Sequence, residues 1–377
     1  MSLFDRWRVT LDRLRAEGRF RTLTPPIGLD FSSNDYLGYG KLTFHDATDL
    51  SRSGSASRLL RGEHPIWSEV EARLADWHGA EAALVLPSGY AANEGLLATL
   101  LEPGDVVFSD KLNHASIIDG IRLSRADKEI FLHNNLADLE ARLTHRGAER
   151  KAGEAWFIVT ESLFGMEGDF APLAELADLA ERHDAHLIVD EAHATGCFGE
   201  HGGGLVDAAG LRGRILACVH TGGKALAVPG AYIVGSMLLK ELLVNRCRHL
   251  IFTTALPPMV GNWWLEMLDR VPSDTATRDR LHANVRAFRE TAESVKLRIG
   301  GNVYIATVPI GNDADAMRAA TRLQALGYDI RAIRPPTVPI GTARLRISIH
   351  ADHDAETLRE LAKNMLPTAI TSEPRTK

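Results

Sequence analysis

The sequence predicts an α/β fold with a mostly parallel central sheet, followed by a smaller α+β domain. Short apolar runs bounded by Gly, Pro or Asp alternate with stretches of helical periodicity between residues 66 and 236, which is typical of βαβ units. After about Pro272 the pattern changes, and fewer strands alternate with helices. The chain of 377 residues is long enough for two to three domains of about 150 residues each.

Each predicted strand corresponds to one apolar run, and each predicted helix to one amphipathic stretch. In the large domain we expect strands at 82–86, 105–109, 156–161, 186–191, 215–219 and 231–236, and helices at 66–78, 91–101, 136–143 and 173–183. In the small domain we expect strands at 302–310, 328–333 and 344–350, and helices at 315–326 and 355–365.

The N-terminal residues form a separate predicted element. Apolar residues recur at helical spacing from Phe4 to Leu14 and predict an amphipathic helix that packs on the body or on a partner subunit. We therefore expect an N-terminal arm over 1–45, a large domain over 46–272 and a small domain over 273–377.

Charge and hydropathy exclude several classes of protein. The formal net charge of −6 argues against general binding to nucleic acids or to anionic membranes. The sequence has no run of about 18 apolar residues, and the acidic residues near its N-terminus argue against a transit peptide. Three widely spaced cysteines imply neither a disulfide framework nor a zinc site. We expect a cytoplasmic protein.

Polar residues follow several predicted strands, which is where open α/β sheets bind their ligands. Asp190 lies at the end of one strand, and His193 follows in a glycine-containing turn. Lys224 lies after the next buried strand, behind two glycines that let a ligand approach the backbone. Alone, each has an ordinary explanation, since an Asp at a strand end often caps a helix and a Lys is usually on the surface.

Three uses of these residues are considered. A P-loop is excluded because no G-x-x-x-x-G-K-[ST] spacing surrounds Lys224. A metal site built from His183, His186, Asp190 and His193 has little support, because no H-E-x-x-H spacing is present. The third use is pyridoxal phosphate (PLP), which needs a lysine for covalent attachment and a carboxylate that keeps its pyridine nitrogen protonated. Lys224 and Asp190 meet these needs.

Two further segments suit the same cofactor. The turn 87–90 leads into a predicted helix whose N-terminus is a ready site for a phosphate, although ordinary strand-to-helix connections are similar. His114 precedes another predicted helix, where its ring would stack on the cofactor or simply cap the helix. For His114 alone, the cap is the favoured interpretation.

Eight segments of the chain together resemble one enzyme family. They are FSSNDYLG (31–38), LPSGYAANEGLL (86–97), DKLNHASIIDG (110–120), ESLFGMEGDFAPLAEL (161–176), VDEAHATGCFGEHG (189–202), TGGKAL (221–226), HLIFTTALPP (249–258) and IRPPTVPIGTARLRIS (333–348). On these segments the chain resembles the α-oxoamine synthases, which are PLP-dependent enzymes of fold type I. The resemblance implies the PLP-dependent transferase fold, PLP as cofactor and a homodimer.

The last segment is most similar to family members that condense L-alanine with a pimeloyl thioester, carried by acyl carrier protein or coenzyme A. That reaction releases CO2 and the free carrier and belongs to biotin biosynthesis. Two alternatives stay open. One is a sister enzyme that uses glycine with acetyl-CoA or another thioester, and the other is a non-catalytic partner subunit. The presence of Lys224 and Asp190 argues against the second.

The resemblance also implies the roles of individual residues. Lys224 would bind the cofactor and then exchange a proton at the substrate α-carbon, and Asp190 would pair with the pyridine nitrogen. His193 would hydrogen-bond the phenolic oxygen of the ring, and His114 would stack on the ring face. The residues expected at the phosphate are Gly89, Tyr90 and Thr221. No metal is expected.

The residues implied for substrate binding are Arg21, Asn34, Thr337 and Arg346. Arg346 is the natural partner for the amino-acid carboxylate, but Arg344 lies on the same strand face and competes with it. Arg19 similarly competes with Arg21. Three features depart from the family pattern: Gly165 stands where a serine is usual, Gly222 replaces a bulky residue beside the lysine, and the stretch 51–64 is poorer in glycine.

Overall fold

The computed structural model describes residues 1–44 and 49–366, and the chain divides into two units. The first unit contains Met1–Tyr36, Gly165–Asp169 and the chain from Asp279 onward. The second unit contains Leu37–Phe164 and Phe170–Arg278. The expected boundary between residues 45 and 46 lies outside the described residues, and the division into arm, large domain and small domain stays a prediction.

Strands and helices alternate through most of the chain. The strands are β1 (Leu29–Asp30), β2 (Ala82–Leu86), β3 (Val106–Asp110), β4 (Asp127–Phe131), β5 (Trp156–Glu161), β6 (His186–Asp190), β7 (Ala217–Thr221), β8 (Ala231–Gly235), β9 (Ile305–Gly311), β10 (Tyr328–Asp329), β11 (Arg331–Ile333) and β12 (Ala343–Ser348). The helices are α1 (Leu3–Ala16), α2 (Pro65–His78), α3 (Gly89–Leu100), α4 (Ala115–Ser124), α5 (Leu136–Gly147), α6 (Leu173–Arg182), α7 (Leu205–Ala208), α8 (Met237–Arg246), α9 (Arg248–Ile251), α10 (Pro258–Arg270), α11 (Thr275–Ser294), α12 (Asp313–Ala325) and α13 (Ala355–Asn364).

A seven-stranded sheet forms the centre of the second unit, in the order β2-β8-β7-β6-β5-β3-β4. Strand β8 runs antiparallel to β2 and β7, and the remaining pairs are parallel. The predicted α/β fold with a mostly parallel sheet is therefore confirmed. Strands β3 and β5 are buried along their whole length, as expected where both faces of a sheet are covered. The parallel strands end at one edge of the sheet, which carries Asp190 and Thr221.

Side-chain caps determine where two helices begin beside this edge. Ser88 accepts a hydrogen bond from the backbone N–H of Ala91 at 3.2 Å and caps α3, while His114 accepts from Ser116 at 3.2 Å and caps α4. The two helices pack closely, because a Cβ on Gly120 would lie 2.9 Å from the Cβ of Leu97. Helix α3 follows the carboxyl end of β2, and α4 follows the carboxyl end of β3. Both N-termini therefore lie beside this edge of the sheet.

The first unit contains a three-stranded antiparallel sheet, β11-β12-β9, and a parallel pair, β1 with β10. Helix α12 packs on this sheet. The predicted N-terminal helix is present as α1, but none of its residues is buried. No helix within residues 1–44 and 49–366 is both long and apolar enough to cross a bilayer.

Several elements were missing from the sequence-based prediction. Strand β4 (DKEIF) is an edge strand with four of its five residues exposed or half-exposed, so no apolar run marks it. Its position depends on parallel backbone pairing with β3. Helices α8, α10 and α11 were also missed.

Candidate functional site

A cavity of about 180 Å³ opens at the carboxyl edge of the large sheet. A buried water needs about 10–15 Å³, so the cavity has room for a small molecule. It is lined by all seven residues expected to bind the cofactor, together with Asn93, Ser116, Glu161 and Ala192. The seven are Gly89, Tyr90, His114, Asp190, His193, Thr221 and Lys224.

The carboxylate of Asp190 is held in one orientation. Its Oδ2 accepts a hydrogen bond from Asn93 Nδ2 at 2.7 Å, and its Oδ1 accepts from the backbone N–H of Ala192 at 2.7 Å. Asn93 Nδ2 also donates to Ser116 Oγ at 3.1 Å, so both amide hydrogens have acceptors. Asp190 is 6 % exposed. A buried carboxylate that is hydrogen-bonded at both oxygens is a preorganised partner for a positively charged ring nitrogen.

His114 caps α4 and lines the cavity, so the two interpretations of this residue are compatible. Its Nδ1 accepts from the backbone of Ser116 and lies 2.7 Å from Ser116 Oγ. Burial lowers the pKa of His114, Lys224 lowers it further, and Asp190 acts in the opposite direction. The ring is therefore neutral at pH 7, and because Nδ1 accepts, the proton lies on Nε2. A neutral, flat imidazole suits stacking on an aromatic cofactor.

The first turn of α3 lines the cavity with Gly89 and Tyr90. Ser88 caps the helix, and the backbone N–H groups of the first turn have no partner within the helix. Gly89 lies against Thr221, since a Cβ there would be in van der Waals contact with the Thr221 side chain at 3.6 Å. Tyr90 is 42 % exposed and hydrogen-bonds Asp119, and its ring meets His114 edge-on at 6.1 Å.

The loop that carries Lys224 explains the departure at Gly222. The N–H of Gly222 donates to Gly230 O at 2.9 Å, and its carbonyl accepts from Val228 N at 2.9 Å. A Cβ on Gly222 would lie 2.5 Å from Cζ2 of Trp264 and would overlap the Val228 carbonyl oxygen. The indole of Trp264 therefore takes the space that a bulky residue beside the lysine would need.

Glu191, next to Asp190, holds the turn that carries His193. Its buried carboxylate accepts from the N–H groups of Leu205 at 3.1 Å and Val206 at 3.3 Å. A Cβ on Gly204 would overlap this carboxylate, so the site requires glycine there. Burial raises the pKa of Glu191 to about 7, while the hydrogen bonds from the two N–H groups lower it by less.

The residues expected to bind substrate lie in the first unit, where they form two pairs. Arg346 donates to Gly165 O at 2.6 Å, to Ser348 Oγ at 2.8 Å and to Asn34 Oδ1 at 2.9 Å, with the Tyr36 hydroxyl at 3.1 Å. It is 7 % exposed, and these four partners are all neutral oxygens. Gly165 orients Arg346 through its backbone carbonyl, a contact that does not depend on the side chain at this position.

The competing arginines differ in their partners. Arg344 pairs with Glu167 at 3.3 Å, and Arg19 pairs with Asp313 at 2.9 Å. Arg21, in contrast, reaches the neutral hydroxyl of Thr337 at 3.3 Å. Because a carboxylate already neutralises Arg344 and Arg19, Arg346 and Arg21 are the better sites for an anionic ligand.

Sequence reasoning missed Asn93, Ser116 and Glu191. Asn93 and Ser116 lie inside two of the segments that carry the family resemblance, four and two positions after Gly89 and His114. Helical spacing alone did not show that Asn93 points at Asp190. Among the described residues, the group of three close metal-ligating side chains is His350, Asp352 and His353 rather than the four residues considered from the sequence. His353 already uses both ring nitrogens on backbone groups.

Comparison with known proteins places these features in a family. Residues 26–365 match the family model for aminotransferases of class I and II. The chain belongs to this family. An 8-amino-7-oxononanoate synthase from Chlorobaculum parvum is 42 % identical over 94 % of this chain and 96 % of its own length. The predicted resemblance to PLP-dependent enzymes of fold type I is thereby confirmed.

Two solved structures share the fold over nearly the whole chain. A serine palmitoyltransferase variant from S. paucimobilis, solved with PLP and myriocin bound, is 28 % identical with a TM-score of 0.87, covering 98 % of this chain and 99 % of its own. An 8-amino-7-oxononanoate synthase from Francisella tularensis is 28 % identical with a TM-score of 0.74, covering 91 % and 98 %.

The residues of the cavity fit PLP. The cavity offers a lysine amine, a buried carboxylate held at both oxygens, a neutral imidazole and a helix N-terminus. These groups match the aldehyde, the pyridine nitrogen, the aromatic face and the phosphate of the cofactor.

The raised pKa of Glu191 predicts a pH-dependent contribution to stability. The unfolded chain releases this proton near pH 4.5, whereas the folded chain holds it to about pH 7. The unfolding free energy of the wild type, relative to Glu191→Gln, should therefore fall by up to about 3 kcal/mol between pH 4.5 and 7.5. Urea unfolding at several pH values measures this difference. The exposed Glu175→Gln is the control, and a pH-independent difference for Glu191→Gln would contradict the prediction.

The contact of Gly222 with Trp264 predicts a sharp contrast between neighbouring glycines. Gly222→Ala should lower the unfolding free energy by about 1–3 kcal/mol, because the added methyl overlaps a buried ring and a carbonyl. Gly223→Ala should change it by less than about 0.5 kcal/mol, since the nearest atom to its Cβ would be Thr221 Oγ1 at 3.9 Å. Denaturant unfolding of the two variants checks this, and equal losses would contradict it.

Proposed function

We propose that this chain is a PLP-dependent C-acyltransferase. It condenses L-alanine with a pimeloyl thioester, carried by acyl carrier protein or coenzyme A, to give 8-amino-7-oxononanoate, CO2 and the free carrier, as a step of biotin biosynthesis. The observation that carries the proposal is that Asp190, held by Asn93 and Ala192, lines the same cavity as Lys224. The relative from Chlorobaculum parvum, which is named an 8-amino-7-oxononanoate synthase, supports this product.

When bound, PLP supplies an aromatic ring that accepts the electron pair left at the substrate α-carbon. Asp190 would hold a proton on the pyridine nitrogen and so keep the ring electron-deficient. Lys224 would hold the cofactor through its amine and, when that amine is free, would move a proton at the substrate α-carbon. His193 would hydrogen-bond the phenolic oxygen, and the flat ring of His114 would cover one face of the cofactor ring and keep water away from it.

The phosphate is held by the first turn of α3. Gly89 and Tyr90 offer backbone N–H groups there, and Thr221 offers a hydroxyl group. This contact would hold the cofactor independently of Lys224.

Arg346 is proposed to bind the carboxylate of L-alanine. A buried guanidinium among neutral oxygens is costly unless an anion reaches it. Charge-assisted hydrogen bonds are about twice as strong as neutral ones, so a substrate carboxylate competes well with the acceptors now in place. Asn34 positions the guanidinium from one side, and Arg21 with Thr337 is proposed to contact the thioester substrate.

Two properties complete the proposal. We propose a homodimer, following the resemblance to fold-type I enzymes, and a cytoplasmic location. A non-catalytic partner subunit is not supported, because Lys224 and Asp190 line one cavity.

Turnover with a panel of substrates tests the function. The purified holoenzyme should prefer L-alanine with a pimeloyl thioester over glycine or L-serine with acetyl or palmitoyl thioesters, with the product identified by mass. Arg346→Lys should raise the KM for L-alanine by about tenfold to hundredfold, since it loses a charged hydrogen bond worth about 1.5–3 kcal/mol. Arg344→Lys is the matched control and should change that KM little. Preference for glycine with acetyl-CoA, or equal effects of the two substitutions, would overturn the proposal.

A further inference from the structure

Helix α1 exposes an apolar stripe that its own unit leaves uncovered. Leu3, Phe4, Trp7 and Leu11 recur at the spacing of one helix face, and they are 48, 62, 54 and 40 % exposed. Phe4 and Trp7 meet edge-to-face at 5.3 Å, so the two largest side chains are already arranged in contact. The helix has 14 residues and is about 21 Å long. An exposed aromatic stripe of this length indicates an interaction surface.

Arginines border the stripe on both sides. Helical spacing places Arg6 and Arg13 on one flank and Arg8 and Arg15 on the other. Arg8 and Arg15 pair with acids of the same helix, whereas Arg6 and Arg13 have no acidic partner among residues 1–44 and 49–366. Residues 1–21 contain six arginines and three acids, a net charge of +3 in a chain whose total is −6. The surface is therefore positive where the protein as a whole is negative.

The stripe continues into an apolar groove of the same unit. This groove has a volume of about 850 Å³ and is lined by Leu11, Leu14 and Phe20 together with the segment 335–340. That size falls within the range of about 300–1,000 Å³ typical of ligand sites. Arg21 and Thr337, proposed above to contact the thioester, lie in its wall.

We propose that α1 is the docking surface for an acidic acyl carrier protein, and that the acyl-pantetheine arm of this partner lies in the adjoining groove. The proposal rests on the function proposed above and decides between the two carriers. A nucleotide carrier would use the arginines near the groove but would leave the stripe from Leu3 to Trp7 uncovered. A protein with an acidic helical surface covers the stripe and pairs with the arginines on its flanks.

Donor-specific kinetics test the proposal. The holoenzyme is supplied with L-alanine and with pimeloyl-CoA or pimeloyl-acyl carrier protein at 50 mM NaCl. We expect at least a tenfold higher kcat/KM with the carrier protein, and a KM for it that rises on going to 500 mM NaCl. Arg6→Glu/Arg8→Glu and Trp7→Ala should each lower kcat/KM for the carrier protein about tenfold, through KM, and leave the reaction with pimeloyl-CoA within twofold.

A matched control separates docking from net charge. Arg286→Glu/Arg298→Glu makes the same change of charge at exposed positions of the same unit and should leave both donors unaffected. Equal losses with both donors, no loss in the α1 variants, or a wild-type preference for coenzyme A would overturn the proposal. Failure of both donors would instead contradict the function proposed above.

The same variants also test two other partners for the stripe, a second copy of this chain and a membrane. If Trp7→Ala dissociates the dimer in sedimentation, the stripe is a contact between copies of this chain. If vesicles with 30 % phosphatidylserine bind the wild type but not Arg6→Glu/Arg8→Glu, while carrier-protein kinetics stay unchanged, the stripe binds membrane. Either result would overturn docking of a carrier protein.

Discussion

The site depends on one constraint, the fixed orientation of the Asp190 carboxylate at the end of β6. Asn93 from α3 and the backbone N–H of Ala192 each donate a hydrogen bond to one of its two oxygens. The carboxylate is therefore held in a fixed orientation at the cavity. This requires α3 to begin directly after β2, where Ser88 caps it, and it requires α4 to bring Ser116 against Asn93. The parallel strand order places Thr221 at the same edge, one strand away. The fold therefore serves mainly to bring short polar segments to one edge of the sheet.

Asp190 and Glu191 show how environment separates two adjacent acids. Asp190 lines the cavity with Lys224 and lies within the electrostatic reach of His114. Glu191 points the other way, into a buried pocket closed by Gly204, where burial raises its pKa to about 7. The carboxylate of Asp190 is available to a cation in the cavity. The carboxylate of Glu191 instead anchors the turn that carries His193. Paired carboxylates with divergent roles are a recurrent result of such differences in solvation.

Much of the fold followed from the sequence, because buried strands and amphipathic helices leave clear periodic signals. The strands β2, β3, β5 and β6 were placed within one residue at each end. Strand β4 left no such signal, since its position comes from backbone pairing at an exposed edge. In the site, Lys224 and Asp190 were recognisable as a pair of chemical types on successive strand ends. Asn93 and Glu191 were not, because their roles depend on which way a side chain points after the chain has folded.

The most direct measurement of the central claim is the protonation of the cofactor nitrogen. The protein is loaded with PLP labelled with ¹⁵N in the pyridine ring, and the chemical shift of that nitrogen is followed from pH 6 to pH 9. The constraint on Asp190 predicts a protonated nitrogen over this whole range in the wild type and a largely unprotonated one in Asp190→Asn. The same shift in both proteins would contradict the account, because the carboxylate would then not control the ring.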